Sequence, residues 1–163
     1  MQRQPTILAV ALCLAAIAAS AQDPSPEALA DILNGDAAGD AAANPQCRLF
    51  TPDEVAGYLG EPVEAGANAG MGMSCQWLAA GASDGDAMVT VVPADYAEHP
   101  SMAPGFLEVP ALGPDGFVVP EFDGWAAGVT SGESFVKASL AGAGASAEKT
   151  VEFLREALNR RGG

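Results

Sequence analysis

His99 is the single histidine among 163 residues, so side-chain acid–base chemistry near neutral pH would centre on it. A Ser–His–Asp arrangement needs a serine nucleophile within hydrogen-bond reach of that ring. Between Glu98 and Pro100, His99 instead reads as a solvated loop side chain. Met71-x-Met73, His99 and Met102 form a second set. Thioether and imidazole ligands suit Cu(I), a soft ion. On a strand, however, Met71 and Met73 share one face with Cys75 and Trp77, and packing in a core is the simpler account. Asp84-Gly85-Asp86 could suggest calcium, which takes about six to eight oxygen ligands. A polar hairpin turn explains the triplet with fewer assumptions. Paired carboxylates could serve glycoside hydrolysis, yet no pair stands out among 21 Asp and Glu residues. No catalytic residue, metal ligand or cofactor is assigned on these grounds.

The remaining distinctive side chains fall in the irregular stretch 94–116: Tyr96, His99, Met102 and Phe106. Binding residues favour loops held on a rigid scaffold, so these four are the expected contact patch. Phe122 lies in a turn and is expected to be exposed. Trp125 is expected to point inward with Ala127 and Val129 by strand alternation.

Arg3, the apolar run 7–17 and Ala19-Ser20-Ala21 follow the order of a secretory leader with its cleavage site. The run is shorter than the about 20 residues that span a bilayer. Residues 1–21 are therefore expected to be removed, leaving Gln22 first. Cys13 goes with them, since Leu12 stands where a lipidation signal wants a small residue. Removing the leader takes away Arg3 and no acid, leaving six Lys and Arg against 21 Asp and Glu, or −15. That charge argues against nucleic acid, whose phosphates need cationic partners, and against anionic lipid. No later run resembles a membrane span. The expected product is exported to periplasm or medium, as a monomer, with a cell-envelope protein or a small ligand as partner.

Two cysteines remain, Cys47 and Cys75. An even count in a small exported domain favours a disulfide. A loop of that length is expected to stabilise by about 3–4 kcal/mol. A structural metal lacks ligands, because there is one histidine and no C-x-x-C.

These residues need elements to position them. Residues 22–46 read as a flexible tail or linker, with a possible short helix at 26–34. Ser25 would cap that helix, Pro26 sits at its first position and Gly35 stops it. Its apolar Leu29, Ile32 and Leu33 fall on one face. The single domain spans 47–161. Thr51-Pro52-Asp53-Glu54 is a capping box, Phe50 and Val55 are placed for a hydrophobic staple, and Gly60 is placed to end the helix. Residues 65–70 read as a flexible loop. A hairpin is expected over 71–80 and 86–93, with Trp77 facing the core beside Cys75. A short extended run follows at 106–109, then strands at 117–119, 125–130 and 135–140. Ser146 caps a final helix, 147–160, with Ala147, Val151, Leu154 and Leu158 at helical spacing. The order predicts an α+β fold: an antiparallel meander of about five or six strands, packed by a short N-terminal and a C-terminal helix, with one disulfide.

The run Cys47-Arg48-Leu49-Phe50-Thr51, then Glu54-Val55, Leu59-Gly60 and Cys75-x-Trp77, resembles a pattern in small bacterial envelope proteins of unknown function, many of them actinobacterial lipoproteins. Val109-Pro110-Ala111-Leu112-Gly113 is similar to a later turn of that pattern. The likeness extends over roughly 47–160. It departs in lacking a lipobox and in placing Phe50 where leucine is commoner. It implies the fold and the disulfide, and no catalytic residues. The expected function is a non-enzymatic binding or interaction domain. A small periplasmic hydrolase and a copper-handling protein are the alternatives.

Overall fold

In the computed structural model, which describes residues 40–81 and 83–162, Thr51 opens the first described α-helix, α1 (Pro52–Leu59). Its hydroxyl accepts from the Glu54 backbone N–H at 3.4 Å, and the Glu54 carboxylate accepts from the Thr51 N–H at 2.8 Å. Two otherwise unpaired helix-end donors are thus satisfied. Gly60 ends the helix in the left-handed region, at φ 81°. Val55 and Leu59 are buried, as is Phe50 before the cap. The expected leader (1–21) and the expected helix at 26–34 lie outside the described residues.

Among the described residues, seven antiparallel strands form one sheet. They are β1 (Ala67–Ala69), β2 (Ser74–Leu78), β3 (Asp86–Pro93), β4 (Leu107–Glu108), β5 (Phe117–Glu121), β6 (Gly124–Ser131) and β7 (Ser134–Ala141). The count exceeds the expected five or six. The short edge strands account for the excess: β1 arises from the stretch read as a loop, and β4 from the short extended run. Ala67–Ala69 has little strand propensity of its own. It is extended because it pairs with Ser74–Gln76 of β2.

The order across the sheet is β1-β2-β3-β7-β6-β5-β4. Two meanders therefore meet at a long-range seam, where β7 returns to lie beside β3 from Asp86↔Ala141 to Pro93↔Ser134. Residues of alternate parity on β3 and β7 then share faces. Val89, Val136, Ala138 and Leu140 lie in the main core with Cys75 and Trp77. Met88, Thr90, Val92, Phe135 and Lys137 stand on the opposite face.

The second helix, α2 (Ala147–Arg161), begins at Ser146, whose hydroxyl accepts from Lys149 N–H at 3.3 Å. The expected stripe is rotated. Thr150, Phe153, Leu154 and Ala157 are buried, while Ala147, Val151 and Leu158 flank them. Phe153 sets this orientation by packing 4.5 Å from the Phe50 ring and 5.0 Å from Tyr58. Thr150 tolerates burial because its hydroxyl donates to the Ser146 carbonyl at 2.8 Å. Trp77, fully buried, meets Phe50 edge-on at 6.1 Å. The Cys47–Cys75 disulfide joins the segment before α1 to β2, with Trp77 beside it as expected.

Packing already includes residues upstream of Cys47. Asn44 and Gln46 are buried. The Asn44 amide donates to the Ser74 carbonyl at 2.9 Å and to Asn68 Oδ1 at 2.6 Å, tying the start of the described chain to the β1–β2 turn.

Candidate functional site

Helices α1 and α2 lie against one face of the sheet. The other face carries a smaller cluster: Phe117, Val119, Ala126 and Phe135, under Ala103 and Phe106 of the 94–106 segment. A side chain at Gly128 would have its Cβ 2.7 Å from Phe117 Cζ and 2.8 Å from Phe135 Cζ. Glycine there lets the two rings close over the sheet. The covering segment reaches only part of the face. Over β3 and β7 a groove of about 650 Å³ remains open, within the usual range of ligand pockets, about 300–1,000 Å³.

Each groove residue has a local reason for its place. Met88, Thr90 and Val92 project from one side of β3, and Phe135 and Lys137 from the same side of β7. Gly70 and Gly72, with φ of 53° and 83°, wind residues 70–72 into a single turn. That turn delivers Met73 to one wall. Pro93 and the turn Ala94–Tyr96 form the other, held by the Ala94 N–H donating to the Glu133 carbonyl at 2.9 Å. Tyr96 and Glu98 stand at this end. The lining is chiefly apolar. Of its polar groups, Lys137 Nζ lies 2.8 Å from Glu121 Oε1, and Thr90 Oγ1 lies 2.8 Å from Ser74 Oγ.

The methionine expectation is therefore overturned. Met71 has φ 55° and is 89% exposed, and Met73 is 40% exposed. Neither packs with Cys75 and Trp77, because β2 begins at Ser74, after the glycine turn. Soft ligands do not share one environment either. Met73 lines the groove, His99 rests on two phenyl rings, and Met102 is 95% exposed.

Of the four expected contact residues, Tyr96 lines the groove. His99 is exposed on one side, with its ring edge-on to Phe106 at 5.2 Å and to Phe117 at 5.5 Å. Phe106 stacks on Phe117 at 5.7 Å, and Phe117 on Phe135 at 6.3 Å. A row of rings thus runs from the loop to the groove wall. Met102 takes no part in it. Phe122 is fully exposed and Trp125 half-buried against the main core, both as expected.

Sequence reading missed Met88, Thr90, Val92, Phe135 and Lys137. A signal for them exists: Met88 and Val92 make β3 apolar on both faces, and such a strand needs cover on each side. It also passed over the letters G-x-S-x-G in Gly81-Ala82-Ser83-Asp84-Gly85. A nucleophile elbow joins a strand to a helix, whereas this stretch joins β2 to β3. Ser83 Oγ donates to Glu61 Oε2 at 2.6 Å, and His99 packs on β5, three strands from β3. Asp86 accepts from Gln76 Nε2 at 2.8 Å, a hairpin role. Among the described residues, no three His, Cys, Asp or Glu side chains converge as metal ligands, and no helix is long and apolar enough to cross a membrane.

The strongest electrostatic shifts lie away from the groove. Arg160 donates to both Glu54 carboxylate oxygens, at 3.0 and 2.8 Å, and to Glu156 at 2.7 Å. The bonds from Arg160 to Glu54, with that of the Thr51 backbone, lower the Glu54 pKa to about 2. The bonds to Glu54 and Glu156 hold Arg160 above its ordinary value, while its guanidinium covers the Phe50 ring at 4.6 Å. Burial raises the Tyr58 phenol. These groups clamp α1 to α2. Comparison of the chain with protein-family models, curated proteins and solved structures yields no match.

Proposed function

We propose that this protein is an exported, non-enzymatic binding domain, acting in periplasm or medium, and that its contact surface is the groove over β3 and β7. The observation that carries the reading is the lining: Met73, Met88, Val92, Tyr96 and Phe135 gather apolar surface on a face that carries neither α1 nor α2. Apolar surface left open to water favours a partner that removes it. Methionines adapt their shape to varied apolar groups. Thr90, Glu98 and Lys137 offer polar contacts that would orient a ligand. The ligand class is an apolar or amphipathic group, carried by a small molecule or a cell-envelope protein. Export rests on the leader pattern in residues 1–21, and the disulfide and mature charge are compatible with it. Membership of the envelope family remains part of the same proposal.

The test is titration with N-phenyl-1-naphthylamine, an apolar dye that brightens on leaving water. Saturable binding that Met88→Glu removes, with an unchanged melting temperature, is the expected result. Binding insensitive to Met88→Glu and to Met73→Glu would place the contact surface elsewhere.

A further inference from the structure

We propose that the groove takes a small amphiphile with a cationic head: its apolar tail lies over β3 and β7, and an ammonium-type head rests beside Glu98 and Tyr96. The inference rests on the groove being the contact surface, and it names the chemistry of the ligand. Three observations support it: how the charges at one end are paired, the ring beside them, and the charge of the whole chain.

Glu98 and Lys137 are the charged residues of the groove lining. Both also line an adjoining cavity of about 170 Å³, where Glu121 joins them. Two carboxylates and one ammonium therefore meet at this junction, a sum of −1. Lys137 is already committed, since its Nζ lies 2.8 Å from Glu121 Oε1 and both side chains are partly shielded from water. Among the described residues no cation pairs with Glu98. The charge left over is a carboxylate. An anionic head would have to draw Lys137 from Glu121 and then stand against Glu98. A cationic head meets Glu98 and leaves the existing pair intact, which is the complementary arrangement.

Tyr96 stands at the same end, lining the groove and exposed. An aromatic face attracts a cation placed within about 6 Å, and quaternary ammonium groups are recognised in this way. Met88, Val92 and Phe135 offer the tail its apolar surface, and Met73 forms the wall opposite Tyr96. The groove's volume, about 650 Å³, is that of a small-molecule site. The field of the whole protein has the same sign. Against 21 Asp and Glu the chain carries seven Lys and Arg, so it draws cations and repels anions at a distance.

The experiment displaces N-phenyl-1-naphthylamine from the chain beginning at Gln22, using three ten-carbon amphiphiles kept below micelle formation: decyltrimethylammonium, decyl sulfate and 1-decanol. The readout is the ratio of displacing concentrations within each variant. The cation is expected to act at about tenfold lower concentration than the alcohol, with the sulfate weakest. Glu98→Gln should cut the cation's advantage about fivefold. Glu148→Gln removes the same charge from an exposed position in the first turn of α2, and should leave the advantage intact. No advantage of cation over alcohol, or one that the two changes reduce alike, overturns the head-group inference. The groove reading then stands as long as Met88→Glu removes dye binding. If Met88→Glu and Met73→Glu both lack effect on the dye, the groove reading fails and the inference fails with it. Melting curves of each variant confirm that the fold is retained.

Discussion

Val92 on β3 and Phe135 on β7 are register partners, and both side chains stand on the sheet face opposite α1 and α2. They are the joint between the two halves of that face. Phe135 closes the row of rings beneath the 94–106 segment, and Val92 begins the open groove. Truncating Phe135, which is buried, removes ring packing and leaves a cavity. Phe135→Ala is expected to cost about 3–5 kcal/mol, measured as a shift in the urea midpoint with unchanged slope. A cost below about 1 kcal/mol would mean that the second face contributes little to stability.

Tyr96 and Met102 separate binding from mere exposure. Both are exposed, but only Tyr96 lines the groove. Each alanine change should alter stability by no more than about 0.5 kcal/mol. A ring contributing about 1 kcal/mol of contact weakens dye binding roughly fivefold when lost. Tyr96→Ala is expected to show that loss and Met102→Ala none. Equal effects in the titration would contradict the placement of the site.

The Cys47–Cys75 bridge joins residues 28 apart in sequence, before α1 and within β2. Replacing both cysteines with alanine is expected to lower stability by about 2–5 kcal/mol. Trp77 reports it directly, because the indole is buried beside the bridge. Its emission should move to longer wavelength at a lower urea concentration in the variant. Coincident transitions for the two proteins would show that the bridge adds no stability.

Glu54 gives a pH signature. Its folded pKa, about 2, lies below the ordinary 4.5 because the carboxylate accepts from Arg160 and Thr51. The sign follows from linkage: this contribution is fully present above about pH 4.5 and is lost as pH falls toward 2. Unaltered protein should therefore melt at a higher temperature than Glu54→Gln at pH 7. The gap should narrow below pH 4.5 and close near pH 2. A gap that stays constant from pH 7 to pH 2 would rule out the Arg160 pairing as its source.

Local signals were legible. The Thr51 capping box, the Gly60 stop, the Ser146 cap and the turn glycines are each specified within a few residues, and the structure has them. Phe122 and Trp125 were placed correctly because a turn exposes its tip and a strand alternates. The site was less legible. Its position in a loop singles out Tyr96, yet the groove it borders is built mainly from β3 and β7, which the sequence marks only as strands. Met71 and Met73 were misplaced because strand alternation was extended through Gly70 and Gly72, where the backbone turns instead.

By itself the sequence determined the capped helix ends, the cysteine pair, the main strand segments and the α+β class. These follow from interactions among near neighbours and from hydrophobic periods. Tertiary structure decided that β7 pairs with β3, that Ala67–Ala69 becomes an edge strand, and that α2 turns Phe153 rather than Val151 into the core. It also decided that Met88, Val92 and Phe135 share an open face. The physical reason is that strand pairing and ring packing join residues distant in sequence: β3 and β7 have their own local patterns, and only the register between them places Val92 beside Phe135.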